Sequence, residues 1–367
     1  MNIRYLTIFL FLFLLSCDKD NPSNPSGEDG YDRSLILTNW ADNVIIPAHN
    51  IFLESLLELE ESIDNFLSTQ SNEDFNSIKI NWFNSYKYWQ HIEIFNIGKA
   101  EEIYFKSKMN IYPTNSSTIE NNIDQGSYDL SGINFNISAQ GFPALDYMLY
   151  GLDLDTSLVY NKYIGDNDGY KYRSYLKALI TEMVSVTNTV VNDWNTSYRN
   201  MFIQNSGNSV TSSFNQLTND FIYYYEKGFR ANKFGIPAGV YSNELPQNVE
   251  AFYRNNISKD LALESLNCLK NLFMGYSQYN MTNGPSFNTY IDFIQESSIL
   301  SQDIMDKFDL AYSSIINLEN SFSNQIQNDN FAMLSAFDVI QQGVIKLKVD
   351  MMSCLNIAVD YVDADGD

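Results

Sequence analysis

Apolar residues return every three or four positions through most of the chain, the spacing that lines one face of an α-helix, and two-residue alternation is scarce. Over residues 31–67 the series Ile45, Phe52, Leu56, Leu59, Ile63, Phe66 predicts one helical face, with Pro47 placed to kink or restart it. Ser71-Asn72-Glu73-Asp74 has a helix-start composition. An amphipathic stretch from Phe75 to about Lys106 follows, with Trp82, Tyr86, Trp89 and Phe95 mainly on one side. Residues 109–139 are dense in Asn, Ser, Asp and Gly and predict irregular loops with short helices. A compact helix is expected over 141–150, a turn at 165–169, and long helices at about 170–194, 209–229, 248–276, 288–325 and 330–362. In the last, Phe337, Ile340, Val344, Leu347, Met351, Cys354, Ala358 and Tyr361 form a bundle seam.

The sum is all-α, with about four long helices in each half, most economically arranged as two packed four-helix bundles. A Gly/Pro-containing junction lies between Trp194 and Leu245. This divides the chain into a first bundle over 31–200 and a second over 201–367. Its 367 residues leave room for two domains of roughly 150 residues each.

Charge changes the picture next. With 45 acidic against 22 basic residues the formal charge is −23, and the basic residues are scattered, so no nucleic acid is expected as a partner. The N-terminus carries the clearest signal. Arg4 precedes an apolar run, 5–15, too short to span a bilayer as a mature helix, and Leu14-Leu15-Ser16-Cys17 follows. That run resembles a bacterial lipobox, which implies a signal peptide over 1–17, lipidation of Cys17 and a membrane partner reached through the lipid anchor. Asp18-Lys19-Asp20 is similar to the export signals of Bacteroidetes surface lipoproteins, and 18–30 reads as a flexible tether. The expected location is therefore the outer membrane, on its periplasmic or cell-surface face. Cys268 and Cys354 sit in apolar helical patterns and are expected to be small buried residues, with pairing left open.

The most informative stretch is 140–151, Gln-Gly-Phe-Pro-Ala-Leu-Asp-Tyr-Met-Leu-Tyr-Gly. Pro143 is tolerated in a first helical turn, where its missing N–H has no intrahelical partner to lose. Asp146 stands alone among apolar and aromatic residues. It is read either as an acid near a helix N-terminus favoured by the macrodipole, or as a buried carboxylate requiring a metal, a cation or several N–H donors.

This stretch resembles the Gly-x-His-x-x-Glu signature of imelysin-like proteins and the aromatic-Leu-Leu-x-Gly run that follows it. Gly141 matches, Pro143 stands at the family's His, and Asp146 at its Glu. Three further segments resemble the family in the same order: 89–98 with His91 and Glu93, Lys233-Phe-Gly-Ile-Pro-Ala-Gly-Val, and Lys348-Val-Asp350-Met-Met-Ser353-Cys-Leu with the terminal Asp-Gly-Asp. The resemblance implies two four-helix bundles with the signature helix near their interface. It also implies an iron-regulated lipoprotein linked to iron or haem uptake, with uptake components as partners, and a nominal metallopeptidase classification.

The chemistry narrows these implications. A hydrolytic zinc site normally takes three protein ligands including His. Only His49 and His91 are present, and Pro143 has no side-chain donor. Glu93 and Asp146 are the candidate metal ligands, suited as oxygen donors to iron or another divalent or trivalent cation. If the fold joins them they are also a candidate acid–base pair. Gly141, Pro143 and Asp146 are expected to floor a ligand pocket between the bundles, with Glu93 as the adjacent acid and Lys233 and Asp350 as the polar residues nearest the junction; His91 and Ser353 complete the candidate ligand-binding residues. The acids around Asp166 and at the C-terminus do not complete a calcium loop. The expected function is non-catalytic binding of a ligand or metal in iron or haem uptake. The alternatives are a divergent metallopeptidase and a surface scaffold or adhesion component.

Overall fold

The computed structural model describes residues 29–165 and 168–360. The lipobox with Cys17, most of the tether, Asp166, Asn167, Tyr361 and the terminal acids from Asp363 onward fall outside them.

The chain is all-α. Among the described residues the strand content is one antiparallel pairing, Tyr276–Ser277 with Thr282–Asn283. In the first half, helices Ile46–Thr69, Asn72–Trp89 and Gly169–Asp193 lie along one another. Their packing buries Phe52, Leu56, Trp82, Trp89, Leu176 and Ile180. Burial of such large apolar side chains at about 1.5–3 kcal/mol each is the main driving force for this arrangement. The helix starts where the sequence asks for it: the Ser71 side chain accepts the Asp74 N–H at 3.1 Å, and the Ser71 hydroxyl donates to the Asp74 carboxylate at 2.8 Å. In the second half, Ser258–Met274, Ile299–Ile316 and Phe322–Ile345 pack together with the Ser213–Tyr223 segment and its continuation.

The first long helix joins the halves. Its opening part, Arg33–Asn39, and the adjoining Trp40 belong with the second half. Trp40 stacks at 5.7 Å on Phe214 and lies 4.6 Å from Phe287, and its Nε1 donates to the Leu272 carbonyl at 3.3 Å. A π-helical stretch, Trp40–Ile45, precedes the restart at Ile46, with Pro47 in the new first turn. Proline without an N–H explains why the regular ladder is interrupted there.

Wide π turns recur at Tyr147–Gly151, Trp194–Tyr198, Tyr224–Gly235 and Lys346–Met351. Each inserts extra residues into a turn and rotates the buried face that follows. This corrects the C-terminal seam. Phe337, Ile340, Val344, Leu347 and Met351 are buried as expected, but past the π turn the buried positions are Met352 and Leu355. Cys354 is only half-buried, Ala358 is exposed, and the helix ends at Leu355.

Several predicted helices are shorter. The Asn72–Trp89 helix stops well before Lys106, and residues 90–98 form turns. The segment expected to be helical from 248 starts only at Ser258, since Ala251 and Asn255 adopt positive φ of 56° and 66°. These two irregular segments build the site.

Candidate functional site

The Gly141–Asp146 helix lies at the seam, fully buried. Gly141 has φ +74°, and an added Cβ would stand 2.1 Å from the Met109 carbonyl oxygen, so both conformation and space demand glycine. Phe142 stacks on Tyr86 with centroids 4.4 Å apart. Pro143 occupies the first turn, where no hydrogen bond is forfeited.

Asp146 lies past the first turn of a helix that runs on as π turns through Gly151, beyond the reach of the N-terminal dipole, so the macrodipole reading is corrected. Its carboxylate is 2 % exposed. Oδ2 accepts the Tyr253 N–H at 2.8 Å and Oδ1 the Arg254 N–H at 2.9 Å. The acid thus fastens the irregular segment between 246 and 257 to the first half. Burial pushes its pKa up to about 7; the two N–H bonds and the Arg254 charge pull partly against that rise.

Glu93 and Lys233 meet in a second, adjoining buried assembly. Lys233 Nζ donates to Gln90 Oε1 at 2.8 Å and makes a short ion pair with Glu250 Oε2. Glu250 Oε1 accepts from Gln90 at 3.0 Å and from Asn110 at 2.8 Å. The Asn110 amide also reaches Glu93 Oε1 at 3.2 Å, and the Tyr224 hydroxyl donates to Glu93 Oε2 at 2.9 Å. Ser265 and Tyr86 complete it, donating to Gln90 Oε1 at 2.6 Å and Asn110 Oδ1 at 2.7 Å. Burial, reinforced by the Glu93 charge, drives the Tyr224 hydroxyl well above its ordinary pKa, so it stays a donor. Tyr224 and Lys233 would face opposite ways on an α-helix, being about two and a half turns apart. The wider turns of Tyr224–Gly235 let both reach this assembly.

Other expected site residues lie elsewhere. His91 turns its Nε2 to Glu264 Oε2 at 3.0 Å and packs near Tyr279 at 6.3 Å, away from Glu93. Their separation follows from the 90–97 turn, with neighbours projecting to different sides. Asp350 and Ser353 are corrected: they line an outer groove with residues 295–303, all of the second half, and Asp350 pairs with Lys346 at 2.9 Å. The helix buries Leu347, Met351, Met352 and Leu355, so 350 and 353 fall off that face. Cys268 and Cys354 are free thiols. His49 is buried, bonded through Nδ1 to the Ile45 carbonyl at 2.8 Å, with burial lowering its pKa to about 4.

Gln90, Asn110, Tyr224, Glu250 and Ser265 were not anticipated. Glu250 offered the one legible signal, an acid in an otherwise uncharged run from 246 to 253.

Two cavities open at the seam, with Tyr112 lining both. One of about 170 Å³ is walled by Pro143, Asp146, Tyr112, Thr114 and residues 247–253. The other is a cleft of about 510 Å³ reaching Asn110. The smaller lies below the roughly 300–1,000 Å³ of sites for drug-sized ligands and is too small for a porphyrin.

The side chains present do not fit a metal centre of the expected kind. Among the described residues no three His, Cys, Asp or Glu cluster for a metal ion. Pro143 offers no donor, each Asp146 oxygen already accepts a backbone N–H, and each Glu93 oxygen accepts from Asn110 or Tyr224. Displacing these donors would leave buried groups unpaired.

The family model described as imelysin, peptidase M75, matches residues 45–343. A solved structure from Parabacteroides distasonis, named as a candidate iron-regulated protein A precursor, aligns with TM-score 0.71 at 17% identity. The match covers 90% of this chain and 96% of that one. An imelysin-like protein from Psychrobacter arcticum aligns with TM-score 0.70 at 15% identity, covering 90% and 97%. No curated protein matches the chain. The chain belongs to the imelysin family.

Proposed function

We propose that the protein is a non-catalytic, ligand-binding member of the imelysin family, lipid-anchored at Cys17 in the outer membrane and serving iron uptake. The observation that carries this reading is the occupancy of the motif acid. Asp146 holds two backbone N–H groups of the other half and stands beside a proline where the family has histidine. A carboxylate engaged in that way fixes the shape of the seam and is poorly placed to activate water. Iron reaching such a site would have to bring its own ligands. The relative named as iron-regulated supports the physiological side of the reading.

Thermal unfolding with ferric chelates is the test. A ligand that binds only the folded state raises the melting temperature by mass action. The expected result is a rise with a ferric chelate and none with the iron-free chelator or with zinc. Chelator-sensitive peptide cleavage, abolished in Asp146→Ala, would overturn the reading in favour of a metallopeptidase. Absence of any shift, together with normal iron-limited growth of a deletion strain, would overturn it in favour of a scaffold.

A further inference from the structure

The larger cleft is a site of its own. Residues 96–112 form one wall and residues 223–232 the other, so each half contributes. Lys106 is set into the first wall with its ammonium 5.0 Å above the Tyr224 ring. Among the described residues no hydrogen-bond acceptor reaches that ammonium; burial pulls its pKa down, the Glu93 and Asp220 carboxylates pull partly against that from farther off, and Lys233 adds to the lowering. Lys227 lines the second wall. Its Nζ is buried without a hydrogen bond, standing 3.4 Å from Glu226 Oε1, a carboxylate that also binds Lys348 at 3.1 Å.

Both lysines line the same cleft. A Cβ added to Gly228 would lie 3.4 Å from Lys106 Nζ, which puts that ammonium against the residue following Lys227. Asn96, Ser107 and Asn232 line the same space, and none bonds to another described side chain. The acid on the lining, Glu101, is exposed and therefore screened by solvent, whereas the recessed lysines are not. A recessed ammonium without a hydrogen-bonded acceptor is costly, so an anion that accepts from Lys106 is favoured by attraction and by relief of that cost. Tyr112 and Tyr223 supply rings for an organic body.

We propose that this cleft binds a small organic carboxylate, its carboxylate group held between Lys106 and Lys227 and its body against Tyr112 and Tyr223. The choice of carboxylate over inorganic phosphate rests on the tyrosine walls and on a volume of about 510 Å³, which a bare oxyanion would leave mostly empty. The site does not depend on the iron reading or on Asp146.

Calorimetric titration of the full chain with succinate, 4-hydroxybenzoate and inorganic phosphate tests it, with melting temperature as a second readout. One carboxylate should bind at one equivalent and phosphate at least about ten-fold more weakly. Lys106→Met and Lys227→Met should each weaken that carboxylate about ten-fold or more, Lys106→Arg should retain it, and Lys307→Met, on an outer helix, should change nothing. Three results would overturn the proposal: no binding of either carboxylate at millimolar concentration, phosphate binding as tightly as both, or folded Lys106→Met and Lys227→Met variants with unchanged affinity.

Discussion

The saturated assembly around Glu93, Glu250 and Lys233 and the open cleft around Lys106 and Lys227 are neighbours, with Asn110 belonging to both. In the first, the carboxylate and ammonium groups meet donors and acceptors supplied by the protein, and Lys233 and Glu250 are each 2 % exposed. In the second, the recessed Lys106 ammonium lies over the Tyr224 ring without a hydrogen-bonded acceptor among the described residues, and Glu93 acts on it only from farther off. The contrast separates two uses of buried polarity. Saturated groups hold the halves in register, and incomplete ones leave capacity for a ligand.

The sharpest way to break that contrast is in the saturated assembly. Lys233→Met strands Glu250 and should cost about 3–5 kcal/mol, measured by denaturant unfolding; a loss under about 1 kcal/mol would deny the assembly its structural role. Gly141→Ala should rank next, at roughly 2–4 kcal/mol, because a positive φ and a crowded backbone both oppose the new methyl group.

Asp146→Ala should cost about 1–3 kcal/mol, since two inter-half bonds to a carboxylate disappear. Its pH dependence has a definite sign. A carboxyl raised from 3.8 to about 7 binds more protons folded than unfolded between those values, so its contribution to stability falls as pH rises from about 4 to about 7 and is flat above. Loss of that slope in Asp146→Ala is the check. Asp220 offers a parallel case: burial first, then Glu101 and Asp360, raise its pKa to about 7. Asp220→Asn should therefore stabilise the fold at pH 8 by on the order of 1 kcal/mol and much less at pH 5.

On the cleft side, Lys106→Met should change stability by no more than about 1 kcal/mol, because removing the cation–π attraction to Tyr224 also removes the cost of desolvating the ammonium. A large destabilisation would mean that the cleft belongs to the structural assembly after all. The smallest effect is expected outside the seam: Ser353→Ala, on the outer groove, should stay within about 0.5 kcal/mol.

The residues differ in how legible they were. Gly141 could be placed from the family frame, whereas the positive φ that makes the position need glycine is visible only in the fold. The burial of Asp146 among apolar neighbours was also readable. What it bonded to was not, because Tyr253 and Arg254 lie over a hundred positions away on a segment whose helical pattern misled. Asp350 and Ser353 failed for a related reason. Their segment resembles the family's, but resemblance along a helix does not say which face is turned inward, and a π turn had shifted that face.

By itself the sequence determined the all-α class, most long helices and the apolar faces that pack them, because helical periodicity and burial are written in residues three and four apart. Only the tertiary structure decided which acids were neutralised, which lysine was left without a hydrogen-bonded acceptor and where the seam opened. Those outcomes depend on polar groups brought together across long stretches of chain, and on wide turns that rotate a helix face without leaving a mark in its hydrophobic pattern.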